Sequence, residues 1–88
     1  YKYDNDDENI CVNVKLKISK NAEYRVYDEF RDAEKTADGD FIVNMSYPEN
    51  EWLYGYIMSF GEYAEVLEPT YIRDIIKTKI EKMINNYL

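Results

Sequence analysis

The sequence predicts an α+β domain with a ferredoxin-like βαββαβ sandwich, in which a four-stranded antiparallel sheet carries helices on one face and a C-terminal helix follows. Three observations support this prediction. A strand with strict alternation opens the domain, an Asp-Gly hairpin signal lies near the middle, and two segments with helical periodicity separate the predicted strands. The order of elements is therefore β-α-β-β-α-β followed by a helix.

The first strand has the clearest pattern in the chain. Apolar and polar residues alternate from Ile10 to Ile18, which is the period of a strand with one buried face. The alternation places Lys15 and Lys17 on the open face of the sheet. Ser19 or Asn21 can cap a short helix after the strand. The predicted inner face of that helix consists of Ala22, Val26, Tyr27 and Phe30.

The middle of the chain predicts a hairpin that leads into a second helix. Asp38-Gly39 suits a type I′ turn between an edge strand, residues 33–37, and a stronger arm, residues 41–47. Residues 46–49 fit a capping box with proline in the first turn of a helix that runs to about Phe60. The predicted core arc of this helix comprises Trp52, Leu53, Tyr56, Ile57 and Phe60.

The last third of the chain predicts a strand and a long helix. Gly61 suits the left-handed position after the second helix, residues 63–68 form the last strand, and Pro69 opens the final helix. This helix carries a continuous apolar stripe: Ile72, Ile75, Ile76, Ile80, Met83, Ile84 and Tyr87.

The composition predicts one small domain behind an acidic linker. The chain has 88 residues, 45% of them hydrophobic, which is enough for one core. Residues 1–8 are acidic and aperiodic and predict a solvated linker, whereas residues 9–88 form the domain. The chain opens with Tyr1 rather than methionine, which suggests a fragment of a longer protein. No apolar run could span a bilayer and no signal peptide is recognisable, so a cytoplasmic location is expected.

The residue types argue against catalysis and metal binding. The chain has no histidine, and Cys11 is its single cysteine, so the commonest general base is missing and neither an internal disulfide nor a cysteine metal cluster can form. The acidic linker resembles the start of a calcium loop, but Asn9 and Lys15 occupy the places of the required glycine and glutamate. A pair of catalytic carboxylates is not excluded by counting. We predict no enzyme activity, cofactor or metal.

The charge lowers the expectation of nucleic-acid binding without excluding it. The net charge is −7, which repels phosphate backbones on average, although the final helix is locally basic. Residues 39–45 faintly resemble the third-strand motif of RNA-recognition domains, but Asp38 stands where those domains have a basic residue. Lys15 and Lys17 on the open sheet face are the candidate contacts.

Three residues outside the predicted core arcs form a candidate protein interface. Tyr54 and Met58 fall off the arc of the second helix, and Tyr71 falls off that of the final helix. Tyrosine and methionine are enriched at protein interfaces. The alternative interpretation is that these are scattered surface residues without a role.

Several segments together resemble one known family. Trp52-Leu53, residues 58–61 (Met-Ser-Phe-Gly), residues 64–69 (Ala-Glu-Val-Leu-Glu-Pro) and Ile72-Arg73 are similar, in order and spacing, to the C-terminal extension called WCX. This extension follows the WYL domain in bacterial helix-turn-helix transcriptional regulators. The resemblance covers about residues 10–88.

The resemblance implies a ferredoxin-like extension that helps with dimerisation and with the ligand response of the WYL domain. It also implies partners: the preceding WYL and helix-turn-helix domains of the same chain, a sister subunit in a homodimer, and DNA bound through the missing N-terminal domain. Arg73 matches an arginine of the family and is the first candidate for a ligand or nucleic-acid contact.

We therefore predict a non-catalytic regulatory and oligomerisation domain of a DNA-binding transcriptional regulator. The alternative is a module that binds single-stranded nucleic acid or a small ligand through the open sheet face, with Lys15, Lys17 and Arg73 as contacts. Salt-dependent binding of an oligonucleotide would favour the alternative.

Overall fold

The computed structural model describes residues 10–88, so the predicted acidic linker lies outside the described residues. Four strands form one antiparallel sheet in the order β2-β3-β1-β4. The strands are β1 (Cys11–Ile18), β2 (Glu34–Lys35), β3 (Phe41–Pro48) and β4 (Ala64–Glu68), and the helices are α1 (Glu23–Glu29), α2 (Glu51–Met58) and α3 (Thr70–Asn85). Turns of 3₁₀ helix precede α1 and β4, at Lys20–Ala22 and Gly61–Tyr63. The predicted α+β, ferredoxin-like fold is confirmed.

The register of β1 and β3 places the hydrophobic core on one face of the sheet. Val14 lies opposite Met45, Leu16 opposite Val43 and Ile18 opposite Phe41. Because side chains alternate along a strand, all of these point to the same face. They are buried there together with residues from the three helices, from β4, from the 3₁₀ turn before α1 and from the turn after α2: Ala22, Val26, Leu53, Tyr54, Ile57, Phe60, Val66, Ile72 and Ile76.

The hairpin between β2 and β3 is present, but its predicted turn type is wrong. Gly39 has a φ of +91°, and among the described residues no residue other than glycine has a positive φ. The N–H of Gly39 donates to the carbonyl of Thr36, and the N–H of Thr36 donates to the carbonyl of Asp40. This is a three-residue loop with one left-handed residue, whereas a type I′ turn requires two.

Helix α1 begins as predicted at the end of β1, but one residue of its predicted inner face lies outside the core. The side chain of Ser19 accepts the N–H of Asn21 and caps the 3₁₀ turn that leads into α1. Val26 is buried, whereas Tyr27 is 64% exposed. Successive helical residues are turned by about 100°, so Tyr27 lies at the rim, edge-on to the ring of Phe41.

Helix α2 begins later than predicted, because β3 extends through Pro48 in register with β1. Pro48 is therefore extended, and the predicted capping box at residues 46–49 is wrong. The N-cap is Asn50, whose side chain accepts the N–H of Leu53 at 2.9 Å. The helix ends at Met58, and Gly61 has the predicted left-handed backbone, with a φ of +62°.

The residues that α2 buries also differ from its predicted core arc. The buried residues are Leu53, Tyr54, Ile57 and, just past the helix, Phe60. Trp52, predicted to lie in the core, is 54% exposed, whereas Tyr54, predicted to lie outside it, is 9% exposed. Both predictions are wrong for one reason. At 100° per residue, Tyr54 lies about 80° from the middle of the arc between Leu53 and Ile57, and Trp52 lies about 120° from it.

Helix α3 covers the core with its N-terminal half only. Pro69 is its N-cap, and Ile72 and Ile76 are buried against the sheet. Ile75 packs beside them, partly buried. The C-terminal part of the predicted stripe runs past the end of β4, because 16 helical residues extend about 24 Å and the five residues of β4 about 17 Å. Ile80, Met83 and Ile84 are between 42% and 50% exposed, and Tyr87 is 89% exposed.

Candidate protein-interaction surface

An apolar groove lies where α2, β4 and α3 meet. Two adjoining cavities of about 300 and 370 Å³ share the side chains of Ala64, Val66, Ile76 and Ile80 as a common floor. Met58 and Met83 border one end of this α3 groove, and Arg73 and Lys77 border the other. The groove is an open trough with apolar walls, a shape that suits a helix or an extended segment of another protein.

The exposed half of α3 continues the groove. Ile80 and Met83 line the groove and are also among the exposed apolar residues of α3. We call the set Ile80, Met83, Ile84, Tyr87 and Leu88 the α3 surface. A contiguous exposed apolar surface of this kind commonly marks an interaction site.

The structure brings together two of the three predicted interface residues. The hydroxyls of Tyr54 and Tyr71 both donate to the carboxylate of Glu49. Burial and the neighbouring Glu49 carboxylate raise the pKa of Tyr54 to about 12, and the hydrogen bond to Glu49 raises the pKa of Tyr71. Tyr54 is buried, and Tyr71 is 48% exposed beside it.

Met58 lies apart from this pair. It packs against the core at the end of α2 and lines the α3 groove. Of the three predicted interface residues, Met58 is therefore the one that borders the α3 groove. Most of the apolar residues that line this groove are ones that the sequence predicts to lie in the core.

Arg73 is held by its own domain. Its Nη1 donates to Oε2 of Glu65 and to the carbonyl of Val66, each at 2.7 Å. The arginine thus links the first turn of α3 to strand β4, and its side chain remains half exposed. A ligand that binds Arg73 would have to compete with the Glu65 carboxylate.

Lys15 and Lys17 lie on the open face of the sheet, each beside a carboxylate. Lys15 is registered with Glu68 and Lys17 with Glu65. The ammonium group of Lys17 also lies 4.0 Å from Asp40. Because registered cross-strand residues are neighbours on one face, the sheet face has no excess positive charge at these lysines.

An aromatic cluster beside α1 and α2 is absent from the predicted site residues. The rings of Trp52 and Tyr56 are stacked with a centroid distance of 5.3 Å and an interplanar angle of 2°. Tyr47, at the end of β3, lies 5.4 Å from Trp52 at 59°. The spacing of Trp52 and Tyr56, one helical turn apart, is the signal that points to this stack.

Arg25 closes the inner side of this cluster. Its guanidinium lies 3.8 Å from the ring centroid of Phe60 and forms two hydrogen bonds with Glu29. The hydroxyl of Tyr56 also donates to Glu29. The hydrogen bonds from Arg25 hold the pKa of Glu29 below its ordinary value, and burial, together with Glu29, raises the pKa of Tyr56.

The described residues offer no metal centre. Within residues 10–88, no group of three or more Cys, Asp and Glu residues is arranged to hold a metal ion. None of the buried residues in this range is a polar or charged type. In the same range, no helix combines the length and the apolar character needed to cross a membrane.

Comparison with known proteins identifies relatives of the chain. The sequence profile of the WCX domain matches residues 12–84. A segment of 43 residues is 44% identical to part of the uncharacterised HTH-type transcriptional regulator YobV of Bacillus subtilis (strain 168). This match covers 49% of the chain and 14% of the length of that relative.

Proposed function

The chain belongs to the WCX domain family, and from this premise we propose that it is a non-catalytic regulatory domain of a bacterial DNA-binding transcriptional regulator. In this proposal, a WYL domain and a helix-turn-helix domain of the parent protein sense the effector and bind DNA. The present domain supports the effector response by contacting other protein surfaces. The similarity to a regulator from Bacillus subtilis supports the assignment.

The observation that carries the proposal is the exposed apolar half of α3. Exposing isoleucine and methionine to water is unfavourable by about 25 cal/mol per Å² of apolar area. The α3 surface and the α3 groove together bring apolar walls from α2, β4 and α3 to one side of the molecule. A typical stable interface buries about 800 Å² on each partner, and a surface of several large side chains with an adjoining groove is of this order.

We propose a second copy of the chain as the occupant of this surface. The C-terminal half of α3 carries the stripe that the groove would bury, so two copies related by a two-fold axis can exchange these elements. The charges that border the groove have both signs, with Glu62, Glu65 and Glu81 against Arg73 and Lys77. Two copies can therefore pair opposite charges around the apolar contact.

Sedimentation velocity at rising chain concentration tests this proposal. Between about 1 and 500 μM, the range of moderate affinities, the weight-average sedimentation coefficient should rise toward that of a dimer. The variant Ile84→Lys should remain monomeric, because it places a charge in the apolar contact. The variant Asn85→Lys introduces the same residue at the next helical position, off the stripe, and should still dimerise.

Two outcomes would count against the proposed dimer. One is a wild-type chain that stays monomeric throughout the range. The other is equal association of Ile84→Lys and wild type, which would place the contact elsewhere on the domain. Circular dichroism of both variants verifies that the helix remains folded, since position 84 is half exposed.

A further inference from the structure

We propose that the corner formed by the rings of Tyr47 and Trp52 binds an arginine side chain from a basic segment of a partner protein. The site lies on the side of α1 and α2, and the inference does not depend on the proposed α3 contact. It rests on the geometry of the aromatic rings, on an internal precedent in the same domain and on the local charge.

Trp52 keeps much of its surface exposed although one face of its indole is covered. Tyr56 covers that face in a parallel stack, and Tyr47 stands beside both rings, at about 60° to each. Trp52 is 54% exposed and Tyr47 is 38% exposed. Two rings at this angle form a concave corner, and the flat face of an indole is the most favourable aromatic partner for a guanidinium.

Arg25 shows how the same cluster holds a guanidinium from its own chain. It lies over the ring of Phe60, 5.9 Å from the centroid of Tyr56, and pairs with the carboxylate of Glu29. In this arrangement the guanidinium lies on an aromatic ring while two of its N–H groups donate to one carboxylate. A lysine ammonium cannot form this combination of contacts. The corner of Tyr47 and Trp52 continues the same row of rings beyond Tyr56 and is open to solvent.

The local charge favours a cation and disfavours a phosphate. Residues 23–32 and 49–51, which form α1, the segment after it and the start of α2, contain six Asp and Glu residues against two Arg residues, a net charge of −4. A cavity of about 260 Å³ borders Tyr47, and its charged lining residues are Arg31, Asp32 and Glu29, of which Glu29 is paired with Arg25. The same carboxylates that attract arginine repel a nucleic-acid backbone, so an exposed tryptophan here is poorly placed to stack on a base.

The fluorescence of Trp52 gives a direct test, because it is the single tryptophan of the chain. A short capped peptide of alternating arginine and serine should change the Trp52 emission in a saturable manner at low salt. The same peptide with citrulline, which is neutral and similar in shape, should cause no saturable change. The lysine peptide should bind at least about fivefold more weakly, because an ammonium cannot stack or pair through a fork.

Matched variants separate the corner from general attraction to an acidic protein. Tyr47→Ala should weaken binding of the arginine peptide by about fivefold or more, and Trp52→Ala, measured by calorimetry, should abolish it. Tyr24→Ala removes another tyrosine, which is 67% exposed on α1, and should change the affinity by less than about twofold. Circular dichroism verifies that each variant is folded. If one of the two corner variants does not fold, the other still tests the proposal.

Three results would overturn the proposal. Undiminished binding in both corner variants would mean that the acidic surface alone attracts the peptide. Equal binding of the citrulline peptide would remove the role of the charge. Tighter binding of an oligothymidylate than of the arginine peptide would show that the exposed rings serve a nucleic acid instead.

Discussion

Arg25 and Glu29 form an ion pair whose surroundings make it stronger than an ordinary surface pair. Two nitrogens of the Arg25 guanidinium donate to the Glu29 carboxylate, and a third donates to the carbonyl of Ser59 at 3.0 Å. The guanidinium also lies over the ring of Phe60. These contacts join α1 to the residues that follow α2. Isolated exposed pairs contribute little to stability, but a forked pair packed on an aromatic ring loses less side-chain entropy.

This ion pair predicts an acid-dependent part of the stability. The pKa of Glu29 is lower in the folded chain than its ordinary value of 4.5, chiefly because of the Arg25 hydrogen bonds. Its ionisation therefore stabilises the fold above about pH 4.5, and the contribution is lost as the pH falls through the folded pKa. Since the side chain is 30% exposed, we expect Glu29→Gln to lower the free energy of unfolding by about 0.5–1 kcal/mol at pH 7.

Urea denaturation at pH 7 and at pH 3 checks this prediction. The difference between wild type and Glu29→Gln should shrink at pH 3, because the contribution of the ionised carboxylate declines as the pH falls below its ordinary pKa of 4.5 toward the lowered folded pKa. Asp28→Asn, the charge-removing control at the neighbouring exposed position, should change the free energy of unfolding by less than about 0.5 kcal/mol. A Glu29→Gln effect of the same size at both pH values would contradict the ionic origin.

At the scale of single elements, the sequence predicts periodic patterns better than it predicts where elements begin. The alternation of β1 determines which residues are buried, because one strand face packs against the helices. The start of α2 depends instead on how far β3 remains paired with β1, which is a long-range contact. Ser46 and Asn50 are both good N-cap residues, and the pairing of Pro48 with Cys11 decides between them.

The same limit explains the exposed surfaces. The stripe on α3 is continuous in the sequence, and its periodicity carries no information about how long the underlying sheet is. Trp52 is apolar and lies one helical turn from Tyr56, and this spacing predicts a core position. Its exposure follows from the rotation of α2 on the sheet, which local spacing does not determine.

Replacement of two glycines, Gly55 and Gly61, by alanine should have opposite effects on stability. Gly55 lies inside α2, and a Cβ added there meets no atom within 4 Å. Gly61 has the same free space but a φ of +62°. Gly55→Ala should therefore raise the free energy of unfolding by about 0.5–1 kcal/mol through helix propensity. Gly61→Ala should lower it by about 1 kcal/mol through backbone strain.

Thermal and urea unfolding of the two alanine variants measure these effects against the same wild type. Because neither change alters packing, the difference between the two variants isolates the backbone conformation at each position. A destabilised Gly55→Ala variant would mean that this face of α2 needs the small residue for a contact. An unaffected Gly61→Ala variant would mean that the turn after α2 can rearrange at little cost.

At the scale of the whole molecule, the charges divide the surface into distinct regions. The side formed by α1, the hairpin and the start of α2 is acidic, whereas α3 carries four basic residues against two acidic ones. The apolar residues that the fold leaves exposed lie on both regions, as the corner of Tyr47 and Trp52 and as the α3 surface. One exposed apolar surface thus lies among acidic residues and the other among basic residues. This difference in charge favours different partners for the two surfaces.

The placement of the basic residues predicts weak binding of single-stranded DNA. Arg73 is paired with Glu65, Lys15 lies opposite Glu68 in the sheet register, and Lys17 lies opposite Glu65 and 4.0 Å from Asp40. These carboxylates oppose the approach of a phosphate to the three cations. We expect negligible binding of a labelled oligothymidylate near physiological salt. The double variant Glu65→Gln/Glu68→Gln should bind more tightly at low salt, and the slope of log affinity against log salt should steepen by up to about 2, since each added phosphate contact on a single strand contributes about 0.7.

A matched variant distinguishes local pairing from total charge. Asp28→Asn/Asp32→Asn removes an equal number of negative charges from exposed positions in and after α1, and it should leave oligothymidylate binding close to that of the wild type. If both double variants bind equally well, the net charge of −7 limits binding and the cross-strand carboxylates have no special role. If the wild-type chain binds tightly and with a steep salt dependence, the open sheet face is a nucleic-acid site in spite of its paired lysines, because only released counterions produce such a slope.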